Sequence, residues 1–397
     1  MKSEATAVFI RKFADADVRQ MALQGAKYPG VDLPFALDQI AGRQTARRKL
    51  PSWAAIEGIV YPPHLSMEQC SSEQTARYKA QISGSGDTMA DLTGGFGVDF
   101  SFMAQGFQRA VYVERQEHLC DIARENFRLL GLRQAEVVCG DSVDYLQAMS
   151  PVDIIYLDPA RRDSHGGRTY GISDCTPDVL SLRNLLTAKA RRVLVKLSPM
   201  LDWRKAVGDI GEELVREVHI VSVANECKEL LVVMEAEPTP DPSPREGRLV
   251  CVNDDSCFEV ALPLSCESPL PWGGVRGGLL YEPNASIMKA GCFAEVAQRF
   301  GITQIAQNSH LFTSEEPVEG FPGRSFQIEA VTSMNKRELR QHLQGLTQAN
   351  ITVRNFPLSV AELRRRLKLG EGGDTYIFAT TLADKSHALL IARRRFC

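Results

Sequence analysis

Four acidic residues follow short apolar runs in the first half of the chain: Asp91, Glu114, Asp141 and Asp158. The first opens Asp91-Leu92-Thr93-Gly94-Gly95-Phe96-Gly97, whose glycines let the backbone turn tightly and approach a ligand closely. Glu114 closes Tyr112-Val113-Glu114, and Asp141 follows in Cys139-Gly140-Asp141. Carboxylates accept hydrogen bonds only, so three in register suit a ligand rich in donors. Asp91 is placed to reach an ammonium, directly or through water; Glu114 can accept both hydroxyls of a vicinal diol; Asp141 can accept from an aromatic amine. Taken singly, each acid has a plainer reading as a cap on the following helix. For Asp141-Ser142 both readings stay open. The fourth acid, Asp158, differs in being followed by Pro159-Ala160-Arg161-Arg162-Asp163.

Such acids must sit on strand ends, and the pattern from residue 87 onward supplies them. Thr88–Thr93, Ala110–Glu114, Glu136–Cys139, Asp153–Leu157 and Val193–Leu197 are expected strands. The run Ile-Ile-Tyr-Leu in the fourth is unrelieved by polar residues, as a strand covered on both faces should be. Val98–Gln105, Glu117–Leu130, Val179–Lys189 and Trp203–Ile210 are expected helices between them. Strands at Val218–Ala224 and Glu229–Ala236 are separated by only four residues, too few for a crossover helix, so they form an antiparallel hairpin. The expectation is an α/β doubly wound, Rossmann-like sheet, parallel except for one reversed strand. Ligands bind such sheets at the carboxyl ends of the strands, where these acids lie.

The rest of the chain divides by composition. Residues 1–83 read as helical, with Gly42–Lys49 carrying four cations, a solvated face in its plainest reading. Gly84-Ser85-Gly86 looks like a joint before a domain at 84–236. Residues 237–279 are proline- and glycine-rich, a flexible insert around one short strand or hairpin near Phe258–Leu262. A small domain at 280–325 and an α+β domain at 326–397 complete the division. The last carries Arg354, Arg364, Arg365, Arg366, Lys368, Lys385, Arg393, Arg394 and Arg395 against Glu362, Glu371, Asp374 and Asp384, a local basic surface.

The chain has 397 residues, 44% hydrophobic and 24% charged, the make-up of a globular protein of several domains. No apolar run is long enough to span a bilayer, and the first residues lack the apolar region of an export signal. Ten cysteines without a Cys-x-x-Cys pair argue against a structural zinc site or a disulfide framework, and for reduced thiols in the cytoplasm. The net charge of −3 is no argument for a nucleic-acid partner.

Together, Met89–Asp99 and Asp158-Pro159-Ala160-Arg161 resemble the cofactor loop and reaction loop of class I S-adenosylmethionine (SAM) methyltransferases. The whole chain, outside the proline-rich insert, is similar to a bacterial group of these enzymes with an N-terminal helical region, a small ferredoxin-like domain and a C-terminal THUMP-like domain. Asp158–Arg162, Asp174–Asp178, Glu282-Pro283-Asn284, Arg354-Asn355-Phe356-Pro357, Arg366-Leu367-Lys368-Leu369 and Gly372-Gly373-Asp374 carry the likeness. The resemblance implies SAM held by Asp91, Thr93, Gly94, Gly95, Gly97, Glu114 and Asp141, with no metal. It implies a structured RNA substrate, tRNA or rRNA. Asp158 and Pro159 correspond to the reaction loop of base-modifying enzymes, where the side chain and the backbone after it accept from an exocyclic amine and aim its lone pair at the methyl carbon. Positioning supplies much of the rate for so weak a nucleophile.

This chain departs from that pattern, since Ala160-Arg161 replaces proline and an aromatic ring; Tyr170 is a candidate replacement. Arg161, Arg162 and Arg168 suit phosphate contacts through planar guanidinium groups. Lys196 faces the same cleft, either toward substrate or as a partner for Asp158. Asp-Pro-Ala-Arg is also similar to RNA uracil-C5 methyltransferases, but these need a cysteine nucleophile after the fifth strand. Here that place reads Val195-Lys196-Leu197-Ser198-Pro199-Met200, and Cys175, the nearest thiol, reads as a residue without a role. A nicotinamide or flavin enzyme is disfavoured because the loop is not Gly-x-Gly-x-x-Gly and the sheet ends in a hairpin. A methyltransferase for DNA or a small molecule, and a non-catalytic RNA-binding protein, remain the other readings.

Overall fold

The structure, a computed structural model, describes residues 3–23, 27–161, 171–235, 247–264, 275, 278–306 and 308–395. The chain divides into two units: Met1–Arg216 with Leu231–Ser243, and Glu217–Leu230 with Pro244–Cys397.

Unit 1 is built on five parallel strands, β1 (Gly86–Asp91), β2 (Phe107–Glu114), β3 (Ala135–Cys139), β4 (Val152–Leu157) and β5 (Ala190–Leu197), in the order β3-β2-β1-β4-β5. Register sets the site: Asp91 lies beside Tyr112 and Tyr156, and Glu114 beside Cys139. Val111–Val113 and Ile154–Leu157 are buried, as central strands covered on both faces must be. Helices Val98–Met103, Glu117–Leu129, Ser142–Ala148, Val179–Lys189 and Trp203–Ile210 alternate with the strands. The expected hairpin, most of which (Glu217–Leu230) belongs to unit 2, is present as β6 (Val215–Val223) and β7 (Glu226–Met234). Ala224 and Asn225 turn it with φ of 51° and 61°, the left-handed pair whose twist matches the flanking strands. The fold is the Rossmann-like sheet of class I methyltransferases.

The N-terminal region is helical, and helix Leu33–Lys49 and its successors pack against the glycine-rich loop. Ala46, Leu50, Trp53, Ile59, Tyr61, Met67 and Ala76 share one core with Phe96, Val98 and Phe102. Phe96 belongs to the glycine-rich loop itself, and its ring meets that of Trp53 edge-on at 5.0 Å. Buried Asn126 adds a polar clamp, accepting from Val60 N and donating to Val60 O, both at 2.8 Å.

In unit 2, β8 (Gly247–Asn253) pairs parallel with β6, and β9 (Ser256–Leu262) antiparallel with β8. This is the short strand or hairpin expected near Phe258–Leu262, with Leu249–Val252 of its partner strand buried. Residues 236–246, 265–274 and 276–277 lie outside the described residues. A second sheet of seven strands joins the region after 279 into one layer, with Leu279–Pro283 paired to Gly323–Thr332. Glu282, from its interior, binds both Arg324 and Arg354, the latter on the edge strand Asn350–Arg354. No helix among the described residues is long and apolar enough to cross a membrane.

Candidate cofactor and reaction site

The carboxyl ends of β1 to β4 open into a cavity of about 530 Å³, within the size range of small-molecule sites. Asp91, Thr93, Gly94, Gly95, Gly97, Glu114, Asp141 and Asp158 all line it. The residues that the resemblance pointed to thus line one cavity.

Gly94 N donates to Val113 O at 2.9 Å, drawing the turn onto β2. A Cβ on Gly94 would come within 2.2 Å of the Tyr112 ring, so only glycine fits. Gly97, at φ 82°, caps helix Val98–Met103 and faces Phe127 so closely that a Cβ would lie 2.8 Å from the ring. Glu114 braces the same turn. One carboxylate oxygen accepts from Gly95 N at 2.9 Å and the other from Gln116 N at 2.9 Å. Each oxygen keeps a lone pair for a ligand.

Asp91 is 1% exposed and accepts from Thr93 N at 2.9 Å. Burial lifts its carboxyl well above the usual carboxylate range; the Thr93 N–H opposes this, and Asp99 and Asp158 add to it. A ligand cation would reverse the balance by favouring the carboxylate. Asp141 is exposed and caps helix Ser142–Ala148, accepting from Val143 N at 2.8 Å and Asp144 N at 3.2 Å. It is thus a helix cap that also lines the cavity.

Asp158 follows β4, and its backbone N–H donates to Thr93 Oγ1 at 2.6 Å. One hydroxyl thereby ties the reaction loop to the cofactor loop. The Asp158 carboxylate pairs with Lys196 Nζ at 2.6 Å, so Lys196 is a partner of Asp158. Pro159 is buried behind it. Ala160-Arg161 pairs with Cys175-Thr176 in a short antiparallel ribbon, and Thr176-Pro177 lines the cavity. Cys175 is buried. Of the expected substrate-binding residues, Arg162, Arg168 and Tyr170 lie outside the described residues, as does the side chain of Arg161.

Sequence reasoning missed a second polar group behind the turn. Asp99 lines the cavity and accepts from Tyr156 OH at 2.7 Å and Ser71 Oγ at 2.8 Å. Lys79 Nζ, fully buried, lies 3.2 Å from Asp99 Oδ1, an ion pair whose angle leaves that oxygen without a hydrogen bond. Burial pushes Asp99 up, but Lys79, Lys196, Tyr156 and Ser71 outweigh it and hold the carboxyl below the usual range. The readable signal is a charged residue inside the apolar run Phe96-Gly97-Val98-Asp99-Phe100. Cys70, also at the cavity, is held as a thiol, its pKa raised to about 11 chiefly by burial.

The basic residues of unit 2 are not all free for a ligand. Arg354 binds Glu282, Arg364 donates to Ala349 O and Gly370 O, and Arg393 pairs with Glu329 at 2.7 Å. Arg365, Arg366, Lys368 and Lys385 are exposed.

A "putative methyltransferase" from Porphyromonas gingivalis W83, of known structure, is 33% identical, over 99% of this chain and 98% of its own, with a TM-score of 0.87. The chain belongs to the class I methyltransferases with a THUMP-like C-terminal domain. Residues 323–394 match the family described as THUMP domain-like, and residues 279–322 a family described as a ferredoxin-like domain. Two more distant structures resemble part of the chain. An rRNA methylase from Streptococcus thermophilus is 14% identical over 41% of this chain and 94% of its own, at a TM-score of 0.31. TrmK of M. capricolum, with S-adenosyl-homocysteine, is 10% identical over 43% of this chain and 70% of its own, at 0.33. No curated protein matches.

Proposed function

We propose that this methyltransferase binds SAM in the unit 1 cavity and transfers its methyl group to an exocyclic base nitrogen of a structured RNA. The observation that carries the reading is the convergence of Asp91, Glu114, Asp158 and the Gly94–Gly97 turn on one cavity. These residues fit the cofactor. The buried Asp91 suits its ammonium, both Glu114 oxygens can take the ribose hydroxyls, and Asp141 at the far rim suits the adenine amine. Bound there, SAM supplies an electrophilic methyl group. The chain's own work is to bind and orient. Asp158 accepts from the incoming amine and lowers the cost of aligning its lone pair. Lys196 holds the Asp158 carboxylate in place.

RNA is favoured over other acceptors by the THUMP-like region, with Arg365, Arg366 and Lys368 exposed at the end of helix Val360–Leu367. Such cations serve phosphate contacts, which position an RNA rather than read it. A paired target base would have to leave its stack to reach the cavity. The test is transfer of labelled methyl from SAM to total RNA from cells lacking the gene. Label in that RNA, and none in RNA from wild-type cells, supports the reading. Label in DNA or a small-molecule fraction instead refutes the RNA assignment; no transfer to any fraction refutes the enzymatic one.

A further inference from the structure

The N-terminal helices do more than cover the sheet. Ser66, Gln69, Cys70 and Ser71, all from this region, line the cofactor cavity. Helix Glu73–Ser83 buries Thr75, Ala76, Lys79 and Ser83, so a lysine is turned inward with small neighbours. A fully buried ammonium is costly to keep unless a built partner repays the desolvation. That partner is Asp99, which also touches the hydroxyls of Ser71 and Tyr156. Tyr156 sits on β4 two residues before Asp158, and its carbonyl accepts from Leu92 N at 3.1 Å, next to the cofactor turn. The chain of contacts Lys79–Asp99–Tyr156 therefore runs from the N-terminal region to the strand end that presents the reaction loop.

We propose that Lys79 is a positioning residue of the methyl-transfer site: by holding Asp99 as an anion against the Tyr156 hydroxyl, it fixes the end of β4 from which Asp158 projects. The consequence for the cofactor rests on the SAM reading above. Three carboxylates, Asp91, Asp99 and Asp158, crowd this end of the cavity. Lys79 and Lys196 are the cations that act on Asp99, with Cys70 the neighbouring thiol and Tyr156 and Ser71 its hydrogen-bond donors. Without Lys79, Asp99 would take up a proton more readily, and its grip on Tyr156 and its negative charge toward a cationic ligand would weaken together. Asp99 Oδ1 makes no hydrogen bond among the described residues and has the Lys79 ammonium 3.2 Å away, so losing Lys79 would leave it without that charge.

The test compares the full chain as wild type, Lys79→Met, Lys79→Met/Asp99→Asn and Tyr156→Phe, by two readouts. Hydrogen exchange of the peptide covering 156–161, without cofactor, should rise several-fold in Lys79→Met and Tyr156→Phe while β8 and β9 stay as in wild type. SAM affinity, measured against pH, should fall tenfold or more in Lys79→Met, with its acid limb moved to higher pH. The double variant, which carries no ionisable group at position 99, should return that limb to the wild-type position. A Lys79→Met protein that melts earlier yet keeps both profiles would overturn the proposal and leave only a structural pair. If Lys79→Met does not fold, unchanged exchange at 156–161 in Tyr156→Phe overturns it equally. Absence of SAM binding by wild type would sink the cofactor reading, while the exchange measurement would still decide the positioning claim.

Discussion

Glu114→Gln separates a carboxylate that binds ligand from one that merely braces a loop. Two backbone N–H groups, Gly95 and Gln116, each hold one oxygen of Glu114 at 2.9 Å. A glutamine amide offers one acceptor oxygen, so whichever way it turns, one of these donors faces an NH2 group. Both hydrogen bonds are only part-buried, so a donor left unsatisfied costs at most about 1 kcal/mol, and the variant should lose up to that much stability without ligand. The ribose diol would lose a charged acceptor as well, worth about 1.5–3 kcal/mol. At about 1.4 kcal/mol per factor of ten, SAM affinity should fall roughly 10- to 140-fold. Titration calorimetry gives the affinity, and circular dichroism checks the fold. Glu117→Gln, three residues on and exposed at the start of the next helix, is the control and should change neither. A Glu114→Gln protein with wild-type melting and an affinity within about threefold of wild type would refute both the brace and the diol contact.

Asp91→Asn addresses the pH dependence. The folded-state pKa of Asp91 is raised, so the folded chain holds this proton more tightly than the unfolded one, and stability falls as pH rises from the ordinary carboxylate value through the raised one. Asn should flatten that dependence in melting curves and abolish SAM binding; a ligand-free melting profile equal to wild type at every pH would count against it. Thr93→Val removes the acceptor of Asp158 N, at 2.6 Å, and at a cost of about 1–3 kcal/mol should lower kcat about tenfold or more with little change in KM for RNA. Equal turnover would show that the tie between the loops is dispensable. Replacing Arg365, Arg366 and Lys368 together with alanine should weaken RNA binding and reduce the slope of log affinity against log salt by about 2–3, leaving SAM affinity unchanged. A slope equal to wild type would remove this helix end from the RNA surface.

Much of the fold is legible in the sequence because the strand ends are marked by acids. Val179–Lys189 and Trp203–Ile210 fall where periodicity puts them, and Asp91, Glu114 and Asp158 line one cavity. Strand starts drift by a few residues where the hydrogen-bonded ladder begins before the apolar run, as at Phe107 and Ala190. Between its proline-rich flanks, the short strand or hairpin expected near Phe258–Leu262 is present as β9, paired with β8. The union of the N-terminal helices with the cofactor loop was not legible, because Trp53 and Phe96 are 43 residues apart and nothing local ties them. For the same reason nothing local singles out Lys79, whose partner Asp99 lies on a different helix. The fate of Arg354 and Arg364 shows the converse: a count of cations cannot tell those spent on Glu282 or on carbonyls from those left at the surface.

The central claim is methylation of an exocyclic base nitrogen in RNA with Asp158 at the reaction centre. Mass spectrometry of nucleosides from the RNA of wild-type cells, of cells lacking the gene, and of those cells carrying wild type or Asp158→Asn tests it directly. The account predicts that one N-methylated nucleoside disappears with the gene, returns with the wild-type protein and does not return with the variant. An unchanged set of methylated nucleosides, a lost methyl that maps to carbon, or full rescue by Asp158→Asn would contradict it.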